Sequence, residues 1–226
     1  MAAVAAFAVA VQADTINLFP FNSMNWNIST NPTASPTVNI QVENAASSLD
    51  TIFGGYDLGL GFTLVSGSGK LAVTSYANPS SSPALPDFYS TFPGTTLEPD
   101  VGAGAGLHVG NTSSSNGLYS LPTMPLNLVT LGFGPGSVTP TVGSVFDVWA
   151  LGATNSPPGD TNYVDNVGDT FSYGNTGSRV VNGNFLLGQV TVSGVPEPSS
   201  LLLLGVAAVG LVVYSRRRAG RDSSAA

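Results

Sequence analysis

Residues 56–64 read Tyr56-Asp57-Leu58-Gly59-Leu60-Gly61-Phe62-Thr63-Leu64, with a large apolar side chain at every second position and a small or polar one between. A period of two puts all the large side chains on one face of a pleated strand, whereas no face of a helix would collect them. The signature recurs on both sides. Val38, Ile40 and Val42 alternate with Asn39 and Gln41, and further runs stand at 70–76 (KLAVTSY), 126–133 (LNLVTLGF), 145–151 (VFDVWAL) and 185–192 (FLLGQVTV). In LNLVTLGF the alternation changes phase between Leu128 and Leu131, which predicts a β-bulge. Turn chemistry separates the runs, as in Asn78-Pro79-Ser80, Gly134-Pro135-Gly136 and Ser156-Pro157-Pro158-Gly159. The expected fold class is therefore all-β, a single jelly-roll-like β-sandwich over residues 14–194. The Ser/Gly-rich connection from Ser80 to Ser120 exceeds the usual loop length and is expected to be a loop or to hold further short strands.

Composition narrows the chemistry. Charged residues make up only 8% of the chain, against about 25% in an ordinary soluble domain. Ser, Thr, Asn and Gly must therefore wet the surface. With no cysteine there is no disulfide, no thiolate nucleophile and no cysteine-ligated metal. Between residues 14 and 194, Lys70 and Arg179 face eleven carboxylates, a net charge of −9. Such a surface lacks the clustered cations that hold a phosphate backbone, so nucleic acid is excluded as a partner.

The two ends carry a different signal. Residues 1–11 (MAAVAAFAVAV) are an apolar run followed by Val11-Gln12-Ala13, a small-x-small site, so residues 1–13 are expected to be a signal peptide with Asp14 as the mature start. No Lys or Arg precedes the run, and its basic segment is expected to lie upstream of Met1. Residues 201–214 (LLLLGVAAVGLVVY) are uninterruptedly apolar, and with Ser199, Ser200 and Ser215 the uncharged stretch is 17 residues. As a helix it would be roughly 25 Å long, a short transmembrane span over 199–215. Arg216, Arg217 and Arg218 follow at once, with Arg221 behind them. Their stems can lie in lipid while the guanidinium groups reach the phosphates. By the positive-inside rule, residues 219–226 form a cytoplasmic tail and everything before 199 is outside. Just ahead of the span, Pro196 and Pro198 flank Glu197, which fixes φ twice and removes two donors. That tripeptide is a stiff handle.

The order Pro-Glu-Pro, Ser-Ser, apolar span and arginine cluster over residues 195–218 resembles the PEP-CTERM sorting signal of exported bacterial proteins. The resemblance implies an exosortase, a membrane-embedded cysteine protease or transpeptidase, as partner. It assigns recognition to Pro196, Glu197 and Pro198, transient inner-membrane anchoring to Leu201–Tyr214, and stop-transfer to Arg216, Arg217 and Arg218. A sortase site would need Leu-Pro-x-Thr-Gly before the span, and Leu121-Pro122-Thr123-Met124-Pro125 is neither near it nor correct in its last residue. A GPI signal would end apolar, not in arginines. The body's segment order, TVNIQVEN (37–44), IFGGYDLGLGF (52–62), GKLAV (69–73), PLNLVTLGF (125–133), VGSVFDVWA (142–150) and LLGQVTV (186–192), is similar to cohesin-like and carbohydrate-binding-module sandwiches.

Sites in the body are sparse. His108 is the sole histidine, and no serine stands in a Gly-x-Ser-x-Gly elbow, so a Ser-His-Asp hydrolase is not indicated. Glu43 and Glu98 are the body's only glutamates. Gly102-Ala103-Gly104-Ala105-Gly106 lacks the spacing of a nucleotide loop. Asp160, Asn162, Asp165 and Asp169 cluster oxygen donors within ten residues, a candidate calcium loop without EF-hand spacing. No other cofactor is expected. Trp26, Trp149, Tyr56, Tyr163 and Tyr173 could stack on sugars. Trp149 sits in a run apolar on both faces and is expected in the core, which leaves Trp26 as the candidate exposed platform. The expected function is a sorted cell-surface or extracellular-matrix protein with a non-enzymatic structural or adhesive body. The alternatives are a polysaccharide-binding module and a calcium-dependent hydrolase.

Overall fold

Every regular element among the described residues of the body is a strand. The computed structural model describes residues 16–45, 52–77, 107–112, 119–155, 160–165, 169–176, 179–194 and 211. In chain order the strands are β1 (Ile16–Phe19), β2 (Asn22–Asn27), β3 (Thr37–Asn44), β4 (Ile52–Ser66), β5 (Leu71–Ala77), β6 (Leu107–Thr112) and β7 (Tyr119–Ser120). Next come β8 (Leu126–Pro135), β9 (Val145–Ala150), β10 (Asn162–Asp165), β11 (Thr170–Phe171), β12 (Gly174–Asn175), β13 (Val180–Val181) and β14 (Asn184–Ser193).

They form two sheets. One has the order β12-β1-β3-β8-β5. The other is built on β4, whose Gly55–Asp57 segment pairs with β10 on one edge and β6 on the other. Strand β9 continues the β10 edge along Leu60–Ser66, and β14 lies beyond β9. On its far side β14 takes β13 and β2, and β2 runs parallel to it with Asn22–Asn27 against Gly188–Ser193. The first strand region and the last are therefore direct neighbours.

Alternation decides which side chains fill the space between the sheets. Leu58, Leu60 and Phe62 of β4 and Phe146, Val148 and Ala150 of β9 meet Ile40 and Val42 of β3 and Leu131 and Phe133 of β8 in one core cluster. Phe62 contacts Phe133 edge-on across the layers at 5.9 Å between centroids. Burying each such side chain stabilises by about 1.5–3 kcal/mol. The expected bulge is present. Ile40 pairs with Val129 but Gln41 with Asn127, so Leu128 is the extra residue, and it lets both Leu128 and Val129 turn inward. The Ser80–Ser120 connection contains β6 and all of β7, and the rest of it lies outside the described residues.

Where the chain leaves β9 and returns as β10 on the same edge of β4, neither strand reaches Gly59. The buried Thr161 hydroxyl closes that gap, accepting from the Gly59 N–H at 3.0 Å and donating to the Gly59 carbonyl at 3.0 Å. The Leu151 N–H also bonds that carbonyl, at 2.8 Å. The absence of a side chain at Gly59 is required here, because a Cβ would stand 2.7 Å from the Cβ of Asp160. Thr161→Val keeps the shape but strands a buried N–H, so we expect a loss of about 1–3 kcal/mol in urea unfolding with an unchanged slope.

The chain divides after Ser193 into two compact units, Met1–Ser193 and Gly194–Ala226. Among the described residues no helix is long and apolar enough to cross a membrane. The expected signal peptide and, Leu211 apart, the expected span at 199–215 lie outside the described residues.

Candidate functional site

Strand β14, the last of the body, ends at Ser193. It is hydrogen-bonded on both edges, and the bonding persists to its last residue. Gly143 N–H donates to the Val192 carbonyl at 2.8 Å, Val192 N–H to the Ser144 carbonyl at 2.8 Å, and Ile28 N–H to the Ser193 carbonyl at 3.0 Å. Phe185, Leu187, Val190 and Val192 are buried along it. Only Gly194 and Val195 then separate the sheet from Pro196-Glu197-Pro198. Pro196, Glu197 and Pro198, like Arg216, Arg217 and Arg218, are themselves outside the described residues.

The five aromatic candidates are all buried and form no surface platform. Trp26, expected as the exposed candidate, is fully buried, and its Nε1–H donates to the Asn31 carbonyl at 2.7 Å. The polar neighbours Asn25 and Asn27 suggest exposure, but in a strand they point the opposite way from Trp26, which shares the inward face with Met24. Tyr56, Tyr163 and Tyr173 are also buried. The Tyr163 ring lies 5.3 Å from that of Tyr173 and 5.4 Å from that of Phe171. Burial pushes the Tyr173 hydroxyl well above its ordinary range, and Tyr56, Tyr163 and Asp57 push the same way. That phenol stays protonated at any physiological pH, so it is a packing group and no base.

The four oxygen-donor residues are spread along a turn and a short hairpin. Asp160 is exposed in the turn beside Gly59. Asn162 lies opposite Asp57 in the β4–β10 pair. Asp165 accepts the Asp169 N–H on its carboxylate at 2.9 Å, while its own N–H donates to the Asp169 carbonyl at 3.1 Å, which closes the β10–β11 turn. Among the described residues no three His, Cys, Asp or Glu side chains converge as metal ligands would. The backbone of His108 pairs with Gly59 in the β4–β6 ladder.

One cluster escapes sequence reading. On β9, Asp147 and Trp149 lie outside the cluster that holds Phe146, Val148 and Ala150; Trp149, expected in the core, is buried but on the other face of the sheet. Asp147 is buried, accepts from Gln189 Nε2 at 2.8 Å and lies 3.6 Å from Arg179 Nη1. The Arg179 guanidinium also sits 5.3 Å from the centre of the Trp149 ring. Its members are far apart in sequence, but a lone acid in the apolar run VFDVWAL signals a charge that needs a partner, and Arg179 is one of only two cations in the body. In register across the same face run Ser23, Gln189, Asp147 and Thr63. Asn25 and Thr191 pair beside them. Around the Asp147–Arg179 pair, these five residues present neutral amides and hydroxyls.

Fold and tail together define an all-β body fused directly to a C-terminal sorting signal. The PEP-CTERM protein-sorting motif family matches residues 194–218. No curated protein matches the chain as a relative. In structure the body resembles cohesin modules. The seventh ScaB type I cohesin of Pseudobacteroides cellulosolvens matches at 15% identity and a TM-score of 0.45, covering 81% of this chain and 96% of that one. The Coh-OlpA–Doc918 complex of Clostridium thermocellum matches at 9% identity and a TM-score of 0.48, over 79% of this chain and 99% of that one. CaCohA2 of Clostridium acetobutylicum matches at 14% identity and a TM-score of 0.46, over 80% and 92%.

Proposed function

We propose that this chain is an exported bacterial protein that an exosortase processes at its tail and that then serves at the cell surface or in the extracellular matrix as a non-enzymatic, adhesive β-sandwich. The observation that carries the reading is the sorting motif at residues 194–218, placed directly behind the last strand of a folded body. In this reading the apolar run from Leu201 parks the chain in the inner membrane, the guanidinium groups of Arg216, Arg217 and Arg218 hold it there, and the stiff Pro196-Glu197-Pro198 segment is what the peptidase grips. Adhesion through the neutral face around Ser23, Asn25, Gln189 and Thr191 suits a body whose surface is so poor in charge. The polysaccharide alternative loses its main support with Trp26 buried in the core. Among the described residues the one buried carboxylate, Asp147, is occupied by Gln189 and Arg179 and lends the calcium-dependent hydrolase alternative no support.

Glu197→Ala, and separately Pro196→Ala with Pro198→Ala, should leave full-length chain in the inner membrane with its body outside. The processed fraction should fall at least about tenfold, equivalent to ~1.4 kcal/mol of recognition. Cell fractionation and protease accessibility measure this, and unchanged release in both variants would defeat the reading.

A further inference from the structure

We propose that the end of the sandwich at which β14 finishes is a docking surface for membrane lipid, and this rests on the reading that the apolar run from Leu201 is anchored in the inner membrane. Strand pairing assembles that end. Ser193 of β14 lies opposite Asn27 of β2, Thr191 opposite Val145 of β9, and Val145 opposite Ser66 of β4. Three loops therefore share it: residues 28–36 after β2, 67–70 between β4 and β5, and 136–144 between β8 and β9. The last two are stapled to each other. Lys70 N–H donates to the Val138 carbonyl at 2.8 Å, Thr141 N–H to the Ser68 carbonyl at 3.2 Å, and the Ser144 hydroxyl to the same Ser68 carbonyl at 2.7 Å.

Two properties of this tip point to lipid. It presents apolar side chains to solvent, with Leu64 and Val65 at the end of β4 43% and 53% exposed, Val138 54% and Val142 60%. Water gives such groups nothing, and a stapled loop cannot fold them away. The tip also carries no carboxylate. Residues 27–36, 64–70 and 134–146 contain a single charged side chain, Lys70, although the body's net charge is −9. Among the described residues the acids stand elsewhere. Glu43 lies where β3 ends beside Pro122, and Asp57, Asp160, Asp165 and Asp169 gather about the first half of β4. Asp147, two residues in from Val145, is buried against Gln189 and Arg179. Anionic headgroups repel carboxylates, so this is the end of the body that such a surface accepts. The chain supplies proximity. Seven residues, Gly194–Ser200, join Ser193 to the apolar run and span at most ~25 Å. A tether that short makes the contact intramolecular, at an effective concentration of about millimolar, so a few modest apolar contacts suffice. Cleavage of the tail ends the tethering, and the same contacts then no longer hold the body.

The test uses the full chain from a bacterium without an exosortase, so that its tail stays uncut; the lack of cysteine lets a single one carry a label. Val142→Cys and, among the acids at the other end of β4, the exposed Asp169→Cys are each given an environment-sensitive fluorophore. Both are reconstituted into vesicles of phosphatidylethanolamine and phosphatidylglycerol that contain nitroxide-labelled lipid. Both should float with the vesicles, and the label at 142 should be blue-shifted and quenched several-fold more than that at 169. Adding Val65→Asp with Val138→Asp should remove that quenching while flotation persists. Flotation with equal quenching at the two positions overturns the docking surface and leaves the anchoring reading intact. A label at 142 that is shielded without lipid quenching puts a second copy of the chain on the tip and overturns it too. A chain that does not float defeats the anchoring reading itself, and the docking surface with it.

Discussion

A chain stopped after Gly183 will not fold its body, whereas one stopped after Val195 will. The difference is β14. Removing it deletes the strand between β9 and β2 and takes Phe185, Leu187, Val190 and Val192 out of the core. At about 1.5–3 kcal/mol for each buried side chain the loss is roughly 6–12 kcal/mol, which is the whole stability of an ordinary domain. Strand β2 would lose the partner with which it pairs and β9 one of its two neighbours. Cooperative thermal unfolding followed by circular dichroism should be present for the longer chain and absent for the shorter. A sharp transition in the chain ending at Gly183 would show that the parallel pairing of β2 with β14 is dispensable. If the expectation holds, the body cannot complete its fold until the segment adjoining the sorting motif is available, so folding and tail presentation are coupled by topology alone.

What the sequence discloses depends on how far apart the interacting residues lie. Long alternating runs such as Tyr56–Leu64 and Phe185–Val192 are legible because period two is a local property, and the phase slip that marks the bulge at Leu128 is equally local. Strands β1 and β2 are not, because Pro20 breaks the run and the chain changes sheets between Phe19 and Asn22. The hairpin between β13 and β14 has a signal that the alternation alone passes over. Asn182-Gly183 is the two-residue loop between paired Val181 and Asn184, with φ of 52° and 78°. Both values are positive, as a type I′ turn requires, and Asn-Gly is its preferred pair. The sorting motif is legible because its proline, apolar and arginine elements succeed one another in the chain. The Asp147 cluster is assembled by strand pairing across 42 residues to Gln189, and no local pattern encodes such a meeting.

Trp26→Ala should destabilise the body by about 3–5 kcal/mol, the range for removing a large aromatic side chain from a packed core. The indole is completely enclosed beside Met24, and its one polar atom is satisfied by the Asn31 carbonyl. Truncation therefore leaves both a cavity and a carbonyl without its donor. A loss of glycan or surface binding in that variant would consequently report unfolding, not a missing sugar contact. The two roles separate in a protein where Trp149→Phe leaves Trp26 as the sole indole, since the chain has only two. Its fluorescence should be blue-shifted and shielded from acrylamide in the native state. It should remain so when any polysaccharide is added, and become accessible only on denaturation. A platform tryptophan would behave in the opposite way, quenched easily when free and protected by ligand. The opposite result would mean that β2 has slipped by one residue, because a single-residue change of register is what exchanges the inward Trp26 for the outward Asn25.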